Sequence, residues 1–204
     1  MFDAKGNIYG TTVGTESPHY DNGTVFELER VPSGYTEKIL YYFAGGSDGA
    51  NPGAGGLVSD KNGNLYGTTI YGGGNGCSGE GCGTVFELTR SNGVVTETVL
   101  YRFTGGTDGE VPWAGLTSDR AGGFYGTTSG SAVEPGNGTV FKLTPSNGSW
   151  TESTQYAFTG GDDGRQPFSG LIIDGSGNLY GTTTYGGNQY CPYGGCGVVY
   201  ELTP

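Results

Sequence analysis

Charged side chains are scarce in this sequence and strongly unbalanced in sign. Asp, Glu, Lys and Arg make up only 14% of the 204 residues, and 9 basic residues stand against 20 acidic ones, for a net charge of -11. A field of this sign repels polyanions. We therefore expect no nucleic-acid partner.

Histidine and long apolar runs are equally scarce. His19 is the only histidine, which excludes histidine-rich metal sites and argues against a Ser-His-Asp triad. No apolar run approaches the ~18 residues of a membrane-spanning helix, so we expect no membrane insertion. The opening residues lack a hydrophobic signal core, and we expect any export signal to be absent from this chain.

Glycine, by contrast, is abundant. The chain has 44 Gly and 9 Pro, a share typical of disordered chains when it is not periodic. Here the glycines recur regularly and 13% of the residues are aromatic. A packed fold of strands and turns is the better prediction.

Three motifs repeat in a fixed order. Tyr-Gly-Thr-Thr starts at positions 9, 66, 125 and 180, and Gly-Thr-Val-Phe-Glu-Leu starts at 23 and 83, with altered copies from 138 and 197. Phe-x-Gly-Gly-x-Asp-Gly starts at 43, 103 and 158. The period of about 57 residues predicts one repeat domain over 1–204, with units at roughly 1–52, 53–112, 113–167 and 168–204.

The sequence of each unit predicts four short strands, which we name a to d. In the second unit, strand a precedes Asp60, strand b covers 65–69, strand c covers 84–88 and strand d covers 96–103. Four antiparallel strands per unit are typical of a propeller blade. The fold prediction is all-β, a β-propeller of about four four-stranded units; a β-sandwich and an open solenoid are the alternatives.

The phase of the repeat leaves the ends of the array open. The sequence begins near the end of a strand a and stops after a strand c, so only three d strands are complete. A small closed ring with an incomplete seam, a piece of a longer array, and self-association through the incomplete end units all fit this phase.

These motifs resemble those of the GloVer tandem-repeat family of large exported bacterial proteins. The match is carried by 64–69, 83–89 and 103–109, and again by 138–145 and 178–183, and it extends over essentially the whole chain. The segment Asp-x-x-Gly-Asn-Leu-Tyr also bears a weaker similarity to the opening hairpin of NHL and gluconolactonase-type propellers. The GloVer resemblance implies a secreted or cell-surface protein and supplies no catalytic residues.

One class of loop carries most of the length variation. The b–c loops have 10, 13, 9 and 13 residues in the four units. In a propeller they emerge on the same face as the d–a loops, and loops on a rigid scaffold often bind ligands. The candidate ligand-binding residues on this face are Asp48, Asp108, Asp162, Asp163, Tyr71, Trp113, Phe168 and Tyr185.

Acids beside exposed rings suit glycans, because rings stack on sugar CH faces and carboxylates accept hydroxyl hydrogen bonds. We predict no cofactor, although the same acids would also suit a calcium ion. The alternative is structural: Asp-Gly turns in which the carboxylate caps its own backbone, and rings that pack between units. The function prediction is a secreted or surface module that binds a glycan or protein ligand. A calcium-dependent lactonase or lyase, or a purely structural array, is the alternative.

The four cysteines lie only in the two 13-residue b–c loops. Cys77 and Cys82, and Cys191 and Cys196, share the spacing Cys-x-x-x-x-Cys at the same place in the repeat. A local disulfide restricts the unfolded loop, so we predict the bridges Cys77–Cys82 and Cys191–Cys196 and an oxidising compartment. Zinc held by four thiolates, and free thiols, are the alternatives.

Overall fold

The fold is all-β, as predicted. The computed structural model describes residues 1–14, 21–119, 121–130, 136–187 and 194–204. Within these ranges the chain forms four antiparallel sheets, joined by turns and one short 3₁₀ turn, and no α-helix. No helix in the same ranges has the length and apolar character needed to cross a membrane.

The four sheets follow one another along the chain. The first contains β1 (Ile8–Thr12), β2 (Thr24–Val31) and β3 (Gly34–Tyr42). The second contains β4 (Ala50–Pro52), β5 (Val58–Ser59), β6 (Leu65–Tyr71), β7 (Thr84–Ser91) and β8 (Val94–Arg102). The third contains β9 (Thr117–Ser118), β10 (Phe124–Thr128), β11 (Thr139–Ser146) and β12 (Ser149–Ala157). The fourth contains β13 (Ile172–Ile173), β14 (Leu179–Thr182) and β15 (Val199–Leu202).

The predicted strands b, c and d are confirmed by this pairing. In the second sheet they are β6, β7 and β8, in that order. The predicted strand a is only the two-residue β5. The short β4, which ends at Pro52, also pairs with β6 and so joins the second sheet. Because proline lacks a backbone donor, such a segment is suited to the edge of a sheet.

Tight turns follow the predicted chemistry. Asn92 and Gly93 between β7 and β8 both have positive φ, as do Asn147 and Gly148 between β11 and β12. Paired positive φ values are those of the type I′ hairpin turn. Before each a–b turn, an Asp carboxylate accepts backbone N–H bonds from residues two and four positions later; the four are Asp3, Asp60, Asp119 and Asp174. These aspartates therefore fix the turns.

Consecutive units are joined by a repeated aromatic contact. The phenylalanine that directly follows each d strand packs edge-to-face on the c-strand ring of the next unit. These residues are Phe43, Phe103 and Phe158. The ring centroids are 5.1 Å apart in all three pairs, Phe43–Phe86, Phe103–Phe141 and Phe158–Tyr200. The glycine of Tyr-Gly-Thr-Thr makes room for the c-strand ring: a Cβ at Gly126 would lie 2.4 Å from Cζ of Phe141.

Hydroxyl groups of the Tyr-Gly-Thr-Thr motif add polar links. The first Thr donates to a backbone carbonyl of the next unit, as from Thr68 to Ala114 at 3.0 Å. The second Thr pairs with the Thr that opens strand c, as between Thr69 and Thr84 at 2.8 Å. The motif tyrosine is core: Tyr66 is buried and donates to the carboxylate of Glu87 at 2.8 Å. Each residue of this motif thus has a structural role.

Val111 occupies a strained backbone conformation. Its φ is 57°, and the equivalent positions in the neighbouring units, Asn51 and Gln166, have φ values of 54° and 55°. Left-handed φ is unfavourable for a β-branched residue and tolerated by Asn. We expect Val111→Asn to raise the free energy of unfolding by about 1 kcal/mol, measured by urea denaturation. The reverse change, Asn51→Val, should lower it by a similar amount; a destabilising Val111→Asn would show that apolar packing of Val111 outweighs the strain.

Candidate functional site on the loop face

The b–c loops of the second and fourth units contact the d–a loops of the units before them. The backbone N–H of Gly73 donates to the carbonyl of Gly46 at 2.7 Å, and that of Gly187 donates to Gly161 at 2.8 Å. Each bond joins a b–c loop to the d–a loop of the preceding unit. We call the surface formed by these loops the loop face.

The repeated aspartates of the loop face are engaged inside their own loops. Asp108 is buried and accepts hydrogen bonds from the backbone N–H of Thr104 at 2.8 Å and from the hydroxyl of Tyr101 at 3.0 Å. The equivalent Asp48 accepts from Ala44 at 2.6 Å and from Tyr41 at 2.7 Å. In these contacts each carboxylate caps the backbone of its own loop, which is the structural alternative given in the sequence analysis.

Asp163 repeats the arrangement, and its neighbour differs. Asp163 accepts from the Thr159 N–H at 2.7 Å and the Tyr156 hydroxyl at 3.0 Å. Although burial raises the pKa of Asp163, hydrogen bonds from Thr159 and Tyr156 bring it below the ordinary value. Asp162 is exposed. Among the described residues, no group of the loop donates a hydrogen bond to the Asp162 carboxylate, in contrast to the other three candidate aspartates.

The d strands place a second carboxylate beside two of these loops. Glu97 on β8 interacts with Asp48 of the preceding unit, and Glu152 on β12 interacts with Asp108. Burial and the Asp48 charge raise the pKa of Glu97 to about 7. Burial, opposed by a hydrogen bond from Thr154, raises that of Glu152. Sequence reasoning missed these acid pairs, because they form only where two units meet.

The first and second units enclose a polar cleft on the loop face. Its volume is about 490 Å³, and its lining includes Asp21, Asn22, Asn51, Tyr71, Asn75 and Glu80. Of these, only Tyr71 was singled out from the sequence. The others are ordinary loop residues whose chemistry becomes notable once the loops are brought together. Amide, carboxylate and phenol groups around one open space can exchange several hydrogen bonds with a polyhydroxylated ligand.

The equivalent cleft between the third and fourth units has a different character. It encloses about 310 Å³ and is lined by Arg165 and six glycines. The guanidinium carbon of Arg165 lies 5.5 Å from the ring centroid of Tyr185, within cation–π range. Tyr185, the other tyrosine predicted for ligand contact, therefore has a cationic partner that Tyr71 lacks at the equivalent place, where the residue is Ala50.

Trp113 and Phe168 form an exposed aromatic pair. Their centroids are 5.8 Å apart at an interplanar angle of 83°, and the side chains are 38% and 39% exposed. The pair joins the third and fourth units while leaving ring surface open. This geometry is compatible with both interpretations of the two residues, as packing between units and as a surface on which a ligand could stack.

The disulfide Cys77–Cys82 is present, as predicted. The 3₁₀ turn Cys77–Gly79 lies inside its loop. Cys196 is also disulfide-bonded, and Cys191, its predicted partner, lies outside the described residues. His19 lies outside them as well.

A model of the Gloeobacter/Verrucomicrobia repeat matches residues 1–204. The chain belongs to this repeat family. The match confirms the GloVer resemblance over the whole sequence. No curated protein matches the chain. Membership of the Gloeobacter/Verrucomicrobia repeat family accounts for the three motifs, all of which build turns, strands and contacts between units, and it assigns no ligand.

Proposed function

We propose that this chain is a secreted or cell-surface module whose four sheets are blades of a β-propeller and whose loop face binds a glycan. The cleft between the first and second units carries the proposal. Its polar lining, with Tyr71 beside Asp21, Asn51, Asn75 and Glu80, offers both hydrogen-bonding groups and a ring for stacking. The disulfide Cys77–Cys82 supports an oxidising compartment.

Binding is favoured over the enzymatic alternative by the state of the repeated acids. Asp48, Asp108 and Asp163 each close their own loop, so these carboxylates are poorly placed to share one calcium ion. Calcium requires six to eight oxygen ligands around one point. A calcium-dependent lactonase or lyase would need acids from several units to converge, which this arrangement does not favour.

The proposal is tested with an array of immobilised glycans and the purified chain. Tyr71→Ala is expected to weaken binding to the recognised glycan about tenfold, a loss of ~1.4 kcal/mol. Tyr185→Ala is the matched control, because Tyr185 has the same position in the fourth unit and contacts Arg165; it should leave affinity unchanged.

Two results would overturn the proposal. Binding to no glycan on the array would remove the ligand class. Loss of binding in Trp150→Ala but not in Tyr71→Ala would move the site to the cleft on the opposite side of the second and third units, where Trp150 lies with Tyr66 and Phe124.

A further inference from the structure

A buried carboxylate lies against the described disulfide. The Oε2 atom of Glu110 is 2.5 Å from Sγ of Cys77, and Glu110 and Cys82 are only 6% and 1% exposed. One ligand atom from each of Cys77, Cys82 and Glu110 lies within 4.8 Å of the other two. Two sulfurs and a carboxylate oxygen therefore share a small interior space beneath the loop face.

At this contact the Glu110 carboxylate has no hydrogen-bond donor. A disulfide sulfur carries no hydrogen, so Cys77 cannot donate to Glu110. Among the described residues, the atom in hydrogen-bonding distance of the Glu110 carboxylate is this sulfur. Burial of a carboxylate is costly unless it is paired or bound to a cation. Its position beside two cysteine sulfurs resembles one ligand of an incomplete metal site.

We propose that reduction of the Cys77–Cys82 disulfide converts this cluster into a zinc site. A dithiol reductant supplies two electrons and two protons, so the S–S bond breaks, two thiols form and the reductant becomes a disulfide. Zn²⁺ then binds Cys77, Cys82 and Glu110 and releases both thiol protons. Three protein ligands leave a fourth position for water or another donor.

The required movement is small. Tetrahedral zinc with Zn–S bonds of ~2.3 Å holds two sulfurs ~3.8 Å apart, so the two cysteine side chains need to separate only within their own loop. The loop between the cysteines is short and exposed at Ser78 and Glu80, so it can accommodate this separation. Glu110 is already in place on the d–a loop of the same unit.

The acid at the position of Glu110 is not repeated in the next unit. Glu110 stands between Gly109 and Val111-Pro112, and the residue between Gly164 and Gln166-Pro167 in the next unit is Arg165. A guanidinium at this position repels a divalent cation instead of binding it. Among the described residues, the group of two cysteines and a buried acid occurs once, so we expect one zinc ion at this site.

The test uses the full chain carrying Cys191→Ser and Cys196→Ser, reduced with a dithiol that is then removed without oxygen. Co²⁺ alone is titrated in as a spectroscopic substitute for Zn²⁺. We expect one Co²⁺ per reduced chain, with the charge-transfer absorption of cobalt–thiolate bonds, displacement by one equivalent of Zn²⁺, and no absorption from the oxidised chain.

Glu110→Gln in the same background separates the proposed site from simple thiol binding. It keeps the size of the side chain and removes the charge, and we expect at least about a tenfold loss of Co²⁺ affinity. Zn²⁺ should also raise the melting temperature of the reduced chain, and less so in Glu110→Gln. Absence of the cobalt–thiolate band, including absence because the reduced chain unfolds, or equal affinity in Glu110→Gln, would overturn the proposal.

Discussion

Phe141→Ala should lower the free energy of unfolding by 3–5 kcal/mol, the range for a fully buried phenylalanine. The ring of Phe141 is completely buried. It contacts Phe103 of the preceding unit edge-to-face and covers Gly126 on the adjacent strand. Removal of the ring therefore leaves a cavity at the junction of two units. Thermal and urea denaturation would measure the loss.

Phe26→Ala is the matched control. Phe26 has the same motif position in the first unit and the same glycine beneath it, Gly10, but its side chain is only partly buried. The expected loss is smaller, about 1–2 kcal/mol, because less apolar surface is buried. Equal losses for the two variants would show that the contact between units does not contribute to stability.

The second large effect is a dependence of stability on pH that runs opposite to ordinary acid unfolding. Burial and the nearby Asp48 raise the pKa of Glu97 to about 7, and Arg102 opposes the shift. The folded state thus holds a proton that the unfolded chain releases near the ordinary glutamate pKa of 4.5. The resulting stabilisation is complete below pH ~4.5 and is lost as pH rises through ~7.

Glu97→Gln removes this dependence. Since Glu97 is partly exposed, solvent screening reduces the effect to on the order of 2 kcal/mol. At pH 8 the variant should be more stable than the parent by about this amount, and at pH 4.5 the two should be alike. Urea denaturation at both pH values measures the difference.

Glu37→Gln is the control for Glu97→Gln. Glu37 has the equivalent position on β3, opposite Leu28 as Glu97 is opposite Leu88, but its side chain is exposed. The Glu37→Gln substitution should leave the pH dependence of the free energy of unfolding the same as in the parent. The free energy of unfolding of the parent should fall between pH 4.5 and 7 relative to that of Glu97→Gln. If it does not, the interaction of Glu97 with Asp48 is contradicted.

Local patterns in the sequence determined the strands, the turns and one of the two predicted disulfides. The b, c and d strands, the Asn-Gly hairpin turns and Cys77–Cys82 depend on residues close together in the chain. Backbone preferences and short loop closure act at that range, so a single sequence suffices to predict them. The repeat itself gave the family, which the match over residues 1–204 confirms.

The chemistry of the loop face was decided by the tertiary structure. Asp48 and Asp108, chosen from the sequence as ligand-binding candidates, accept hydrogen bonds from their own loops. The Glu97–Asp48 interaction and the cleft beside Tyr71 cross from one unit to another, and the approach of Glu110 to Cys77 joins two loops of one unit that are 33 residues apart in the chain. A repeat fixes what each unit contains, but the distances between side chains of neighbouring units are set by how their aromatic and apolar faces pack, and those distances exist only in the folded chain.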